Sequence, residues 1–353
     1  MNVQSLFEKA SSCYGCLSEL KTTESRRRHL PEEDEDRLDV KNPFQKDKSK
    51  LLLSKAYRVL WKKTQVFSIP ESPLTRTRMT HVMEVVGNCI TASELLGLNT
   101  DLVEAAAIGH DIGHVPYGHP GEEWMKNNLE GLAGFCHEKM GVVTAQKIER
   151  AGRGLNLTWH TLEAMMCHSG NMAREGMSQE AWLLNYMDKI TYLFHDYNDI
   201  FNVERANYPK PLELEKVVNS FGSNQRERTN TTIAGLVIES AQEGKVSFRH
   251  SELGQRFQHL RALMYKVYYR VTKQDVGKLM KPAYDFLKEQ DIGDPSLLLA
   301  LSTDGDVLSI SRKDNVNSHD FKLSTVFEIV PRLEKIYQRH GKIDLCNPDL
   351  DTW

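Results

Sequence analysis

The chain lacks any run approaching the ~18 consecutive apolar residues that a membrane-spanning helix needs. It also has little net charge. Its 45 Lys and Arg against 48 Asp and Glu leave −3, with a pI near 6.5, so no global field draws it to nucleic acid. Any anion site must come from locally clustered cations. Cysteine is scarce, six in 353 residues, which excludes a disulfide framework. Cys13 and Cys16 have CxxC spacing, but no second such pair completes a zinc site, and they read as free thiols of an N-terminal helix. Cys136, beside His137, reads as a small buried filler, with a nucleophile as the alternative. There is no P-loop, no GxGxxG and no GxSxG, so those phosphate-cradling and acyl-transfer routes are absent. The start, MNVQSLFEKASSCYG, lacks a basic region followed by an apolar one, and a cytoplasmic location is the expectation.

Few segments alternate with period two, and nothing repeats internally, so the chain is expected to be mainly α. At 40% apolar content it can bury one large core or two modest ones. Residues 22–50 are charged, a basic run followed by an acidic one, and read as an exposed arm. From Leu51 to Phe67 the pattern turns helical, with apolar residues at 52, 56, 59 and 60, until Pro70 and Pro73 break it. A helix over 79–97 ends at Gly97. The next is capped by Thr100 or Asp101, with Glu104 in a capping-box-like position, and is stopped by Gly113 and Pro116. Further helices are expected at 138–151, 158–168, 178–201, 211–221, 252–272 and 274–289, with 226–249 ambiguous. Three parts result: 1–50, 51–205 and 206–353.

Eight of the 13 histidines lie between positions 81 and 195. Among them His110-Asp111 ends an Ala-rich helix, with His81 upstream and Asp188 downstream. Imidazoles plus carboxylates suit Mn, Fe, Co, Ni or Zn, and suit Mg less well. Adjacent residues on a helix project about 100° apart, so His110 and Asp111 can share an ion only off the helix end. Asp188, Tyr192, Asp196 and Asp199 recur at helical spacing and share one face. If that face lines a pocket, Tyr192 and Asp196 suit a sugar and Lys189 suits a phosphate. His114, His119, Glu122 and His137 form a second group, in which an imidazole partnered by a carboxylate can act as a general acid. Lys62, Lys63, Gln65, Arg76 and Arg78 flank His81 and offer charge for a polyphosphate.

With these residues in view, the chain resembles the deoxyguanosine triphosphate triphosphohydrolase branch of the HD superfamily, to which the vertebrate dNTPase restriction factors also belong. The resemblance rests on KTQVF, RTRMTH, HDIGHVPYGHPGE, GFCHEK, LNLTWHTLEAMMCHSGN and MDKITYLFHDYNDI, and runs from about Pro43 to Phe201. It implies a helical HD fold with a metal site in the helical core, formed by residues 51–205. The arm and the start of the fold (1–50) precede it, and a C-terminal part (206–353) completes the pocket and the oligomer contacts. It implies hydrolysis of a dNTP, dGTP first, to deoxynucleoside and tripolyphosphate by water attack at the α-phosphorus. His81, His110, Asp111 and Asp188 match the metal ligands for one divalent ion per subunit, with additional Mg carried by the triphosphate. His137 and Glu122 match the pair assisting departure of the 5′-oxygen, and His114 and His119 match phosphate-contacting or catalytic histidines. Arg78 and Lys189 match phosphate contacts, and Gln65, Tyr192 and Asp196 match sugar contacts. A hexamer or tetramer is further implied, and no membrane association.

Two rivals remain open at this level. One is an HD phosphohydrolase acting on nucleoside monophosphates, cyclic nucleotides or single-stranded nucleic acid. The other is a non-catalytic nucleotide or DNA-binding module whose charged arm contacts single-stranded DNA.

Overall fold

The computed structural model describes residues 3–29, 40–67, 72–170, 172–203, 209–271, 275–312 and 325–351. The acidic run of the charged arm (30–39) and Pro70 lie outside them. Among the described residues there is no strand, only isolated bridges pairing Arg27 with Thr158 and Thr64 with Thr77. Among the described residues, too, no helix is long and apolar enough to cross a membrane.

The helices run α1 (Val3–Ser12), α2 (Pro43–Leu53), α3 (Lys55–Val59), α4 (Arg78–Leu96), α5 (Thr100–Gly109), α6 (Gly118–Asn128), α7 (His137–Val143) and α8 (Trp159–Cys167). They continue as α9 (Gln179–Asn198), α10 (Leu212–Asn219), α11 (Gln225–Glu243), α12 (Glu252–Val271), α13 (Gly277–Glu289), α14 (Pro295–Leu301), α15 (Asp304–Arg312) and α16 (Thr325–His340). Helices α4, α5, α8 and α9 pack on one another, with α2 against α5 and α11 against α9. Their buried faces form one apolar core that includes Val85, Ala106, Leu162, Leu184 and Leu236. A second core gathers Met125, Met140, Leu287, Leu298, Val307 and Ile336 from α6, α7 and α13–α16, with Phe135 from the segment between α6 and α7.

Three expectations need correction. The helix expected from Leu51 breaks at Ser54, whose extended backbone caps α3 by accepting from Tyr57 N. Leu51 is therefore buried and Leu52 exposed, the reverse of the expected stripe. Helix α5 is capped by Asn99, which accepts from Leu102 N, rather than by Thr100 or Asp101, and Glu104 meets Lys48 at 3.0 Å instead of closing a box. The charged segment is also not all arm. Asp47 is fully buried, pairs with Arg27 at 2.6 Å and accepts from Thr158 and Thr161, because α2 lies within the first core. The ambiguous stretch 226–249 is largely the long helix α11.

Candidate metal centre and cavity

Helix α4 begins with a reciprocal capping box between Thr77 and Thr80, which sets Arg78 at its first position and His81 one turn in. Helix α5 ends at Gly109, and its chain continues in a turn that delivers His110, Asp111 and His114 from one end. Gly113 permits this turn. A Cβ there would lie 2.1 Å from both Gly141 N and His137 O of α7, so only glycine lets α7 pack this closely. Helix α9 supplies Asp188, Lys189, Tyr192 and Asp196 from one face.

These side chains converge. His81 Nε2 lies 3.1 Å from Asp188 Oδ1, and His110 Nε2 lies 3.8 Å from the same oxygen. Asp111 Oδ1 is 3.5 Å from His110 Nε2, and its Oδ2 is 3.9 Å from His81 Nε2. His110 Nδ1 donates to the Ala107 carbonyl at 2.6 Å, which turns Nε2 toward the carboxylates. Nε2 is buried with no hydrogen-bond partner and faces two carboxylate oxygens. A buried, unpartnered imidazole nitrogen among carboxylate oxygens and a second imidazole is the donor set a divalent metal ion takes, so these residues fit one. Burial raises the Asp188 carboxyl, but the His81 hydrogen bond together with the charges of His110, His81 and His168 outweighs it and holds the group at about 2. His168, at the end of α8, was not singled out from the sequence. Its Nε2 is 4.0 Å from Asp111 Oδ1, and with His110 and Asp111 it forms a further ligand group.

The second histidine group sits beside the first. His137 Nδ1 is 2.8 Å from Glu122 Oε2 and 3.4 Å from Glu138 Oε2. Burial would lower its pKa, but the Glu138 charge and the Glu122 hydrogen bond raise it to about 9. His137 Nε2 faces His168 Nε2 at 3.3 Å, and His168 Nδ1 bonds the Met165 carbonyl at 2.7 Å. Burial and the neighbouring His110 and His137 depress His168 to about 4. It is therefore a neutral acceptor for a protonated His137. His114 stacks on His137 with ring centroids 3.7 Å apart and lies 3.3 Å from Asp111 Oδ1. Burial, then Arg78 and His137, push it well below its ordinary value. His119 is exposed, 73% by side chain, at the rim and 4.0 Å from Glu122.

Both groups open into one cavity of about 590 Å³. Gln65, Arg78, Lys189, Tyr192 and Asp196 also line it. The basic approach to His81 does not reach it as a whole. Lys63 is buried and donates to the His114 and Ala300 carbonyls, while Arg76 pairs with Glu84 and Asp199. Asp199 thereby leaves the α9 face that the sequence assigns to the pocket. Arg78 pairs with Asp111 at 2.8 Å. Lys189, lowered to about 7 by burial, donates to the Asn185 carbonyl at 3.0 Å. Burial raises the Asp196 carboxyl to about 7 despite the 2.6 Å hydrogen bond from Tyr268. Cys136 lines the wall as a thiol pushed up to about 12 by burial and by Glu138, which excludes a resting thiolate nucleophile. The opposite wall comes from α12, through Arg261, Tyr265 and Tyr268. The sequence reading missed these three, although the spacing 261, 265, 268 places them on one helix face.

An HD-domain family model matches residues 78–193, the segment that carries all four proposed metal ligands. A deoxyguanosinetriphosphate triphosphohydrolase-like protein of Caldanaerobacter subterraneus is 35% identical over 254 residues, 72% of each chain. Proteins of the same description from Clostridium perfringens and Clostridium tetani are 35% and 32% identical. They cover 68% and 71% of this chain, and 69% and 71% of their own. The matches thus extend well past the HD segment, and the chain belongs to the deoxyguanosinetriphosphate triphosphohydrolase-like family of HD-domain proteins.

Proposed function

We propose that this chain is a divalent-metal-dependent triphosphohydrolase that splits a deoxynucleoside triphosphate into deoxynucleoside and inorganic tripolyphosphate. The observation that carries the reading is the carboxylate-held imidazolium His137, which opens into the same cavity as four convergent metal-ligating side chains. His81, His110, Asp111 and Asp188 would hold the ion, which when bound polarises a phosphoryl oxygen and lowers the pKa of water.

The chain's own residues do the rest. His137 keeps a proton at neutral pH and delivers it to the 5′-oxygen as the bond from that oxygen to the α-phosphorus breaks. The bond from the attacking water oxygen to the α-phosphorus forms in the same displacement. Glu122 holds the His137 ring and stabilises its charge, as an orienting carboxylate does. His168 accepts from the other ring nitrogen until substrate takes its place. Arg78, Lys189 and Arg261 supply cationic donors for the triphosphate. Gln65 has a buried side-chain oxygen without a hydrogen-bond partner, and with Tyr192 and Asp196 it meets the sugar. A homo-oligomer is part of this proposal, checked by light scattering.

The test incubates purified protein with each of the four dNTPs and with GTP in Mn²⁺ or Mg²⁺, and resolves the products by ion exchange. Deoxynucleoside with intact tripolyphosphate is expected. Monophosphate or orthophosphate would move the chain to another phosphohydrolase activity.

A further inference from the structure

Asp304 is a buried carboxylate 111 positions beyond the HD segment, which ends at residue 193. It opens α15, yet it does not cap that helix. Thr303 and Asp306 do so, with Thr303 N donating to Asp306 Oδ2 at 2.8 Å and Asp306 N to Thr303 Oγ1 at 3.1 Å. The Asp304 side chain is turned away from its own helix, toward the two rims of the cavity.

Its Oδ2 accepts from Thr64 N at 2.8 Å and from Thr64 Oγ1. Its Oδ1 accepts from Tyr117 N at 2.9 Å, and its backbone carbonyl accepts from Tyr117 Oη at 3.1 Å. Thr64 immediately precedes Gln65, which lines the cavity. Tyr117 caps α6 in the left-handed region, φ 62°, and precedes His119 and Glu122, which also line the cavity. A non-glycine residue holds that conformation only where its surroundings over-determine it, and here Asp304 meets both the backbone N–H and the phenol. Lys63, buried next in the chain, ties the first rim to the second by donating to the His114 carbonyl.

We propose that Asp304 is a positioning residue for the reaction, a carboxylate clasp that sets the separation between the rim bearing Gln65 and the rim bearing His119 and Glu122. Lys63 already joins the two rims at the His114 carbonyl, and Asp304 adds a second tie at Thr64, the residue next to Gln65. The inference rests on the proposed nucleotide activity for its kinetic consequence, but the clasp is also visible without turnover.

The experiment therefore has two arms. In the first, amide hydrogen exchange compares wild type with Asp304→Asn, in which one oxygen becomes a donor and must oppose an N–H. Faster exchange is expected in both 63–67 and 115–122, with the central turns of α4 and α9 unchanged. Acceleration confined to α15, or none, overturns the clasp whether or not any dNTP is hydrolysed. In the second arm, kcat/KM for a dNTP and for the matching ribonucleotide is measured in Asp304→Asn, Gln65→Ala and the double variant. Asp304→Asn is expected to lose on the order of 10- to 100-fold for the dNTP, the scale of an ångström-level misplacement, and to narrow the deoxy-over-ribo ratio. That narrowing should vanish in the Gln65→Ala background, because coupled residues are not additive. An equal narrowing in both backgrounds overturns the positioning role. If Asp304→Asn does not fold, Thr64→Val removes a single hydroxyl bond to the same carboxylate. It should reproduce the exchange and ratio changes in weaker form, and wild-type behaviour there overturns the proposal. Failure of the wild-type enzyme to split any dNTP is a separate result that counts against the activity alone.

Discussion

At the residue scale, the chemistry turns on which groups hold protons. His137 is raised from its ordinary 6.5 to about 9 by Glu138 and Glu122 against the effect of burial. A raised imidazole contributes stability that is complete below about 6.5 and is lost as pH climbs through about 9. As the proposed acid, the same group is expected to set an alkaline limb on turnover. Glu122→Gln keeps an acceptor oxygen but removes the charge that favours the imidazolium, so the limb of the pH–rate profile is expected to move toward neutrality. An unmoved limb assigns the acid elsewhere. His137→Ala should keep bound metal yet lose about 10²- to 10⁴-fold in kcat, the range of a missing general acid. Metal content by elemental analysis alongside turnover separates this from collapse of the site. Asp111→Ala differs in kind. It removes a proposed ligand and also strands the Arg78 guanidinium, 2% exposed by side chain. Turnover and metal should disappear together, and denaturant unfolding should show a loss of about 3–5 kcal/mol, as for a broken buried pair.

At the element scale, the site is a meeting of helix ends and faces, and each contributor arrives for a local reason. The Thr77–Thr80 box sets the start of α4. Gly113 lets the turn after α5 touch α7, and Gly113→Ala would drive a methyl into the His137 carbonyl and Gly141. Overpacking of this kind costs about 1–3 kcal/mol. The melting temperature should fall, and turnover should fall further than stability alone accounts for, since α7 carries the proposed acid. Helix α12 supplies the far wall, where Tyr268 donates to Asp196. Tyr268→Phe leaves that carboxylate oxygen without its donor, at about 1–3 kcal/mol, and is expected to raise KM for a dNTP more than it lowers kcat. Much of this was legible one helix at a time. The Gly97 stop and the α9 face were readable because helix-capping chemistry and 3.6-residue spacing are local. The α12 wall was not, since Arg261, Tyr265 and Tyr268 look like an ordinary solvated stripe until α12 is placed against α9.

At the scale of the whole molecule, both apolar cores border the cavity, and the second, which draws on α6, α7 and α13–α16, anchors the rim that carries Glu122 and His137. A cation bound only by the folded arrangement of His81, His110, Asp111 and Asp188 must stabilise it by mass action. Thermal unfolding of chelated protein should therefore begin lower, and stoichiometric Mn²⁺ or Fe²⁺ should raise it. An unchanged midpoint would count against a resident ion at this centre.

By itself the amino-acid order determined the helical class, the donor types for a metal and the family likeness, because these depend on residue identity and on spacing along one helix. Tertiary structure alone decided that Glu122 reaches His137, that His168 completes the histidine row, that Arg76 and Lys63 are internal ties and that Asp304 grips two rims. Each of those relations joins residues whose separation in space follows from how helices pack, and no periodicity within a single segment encodes that distance.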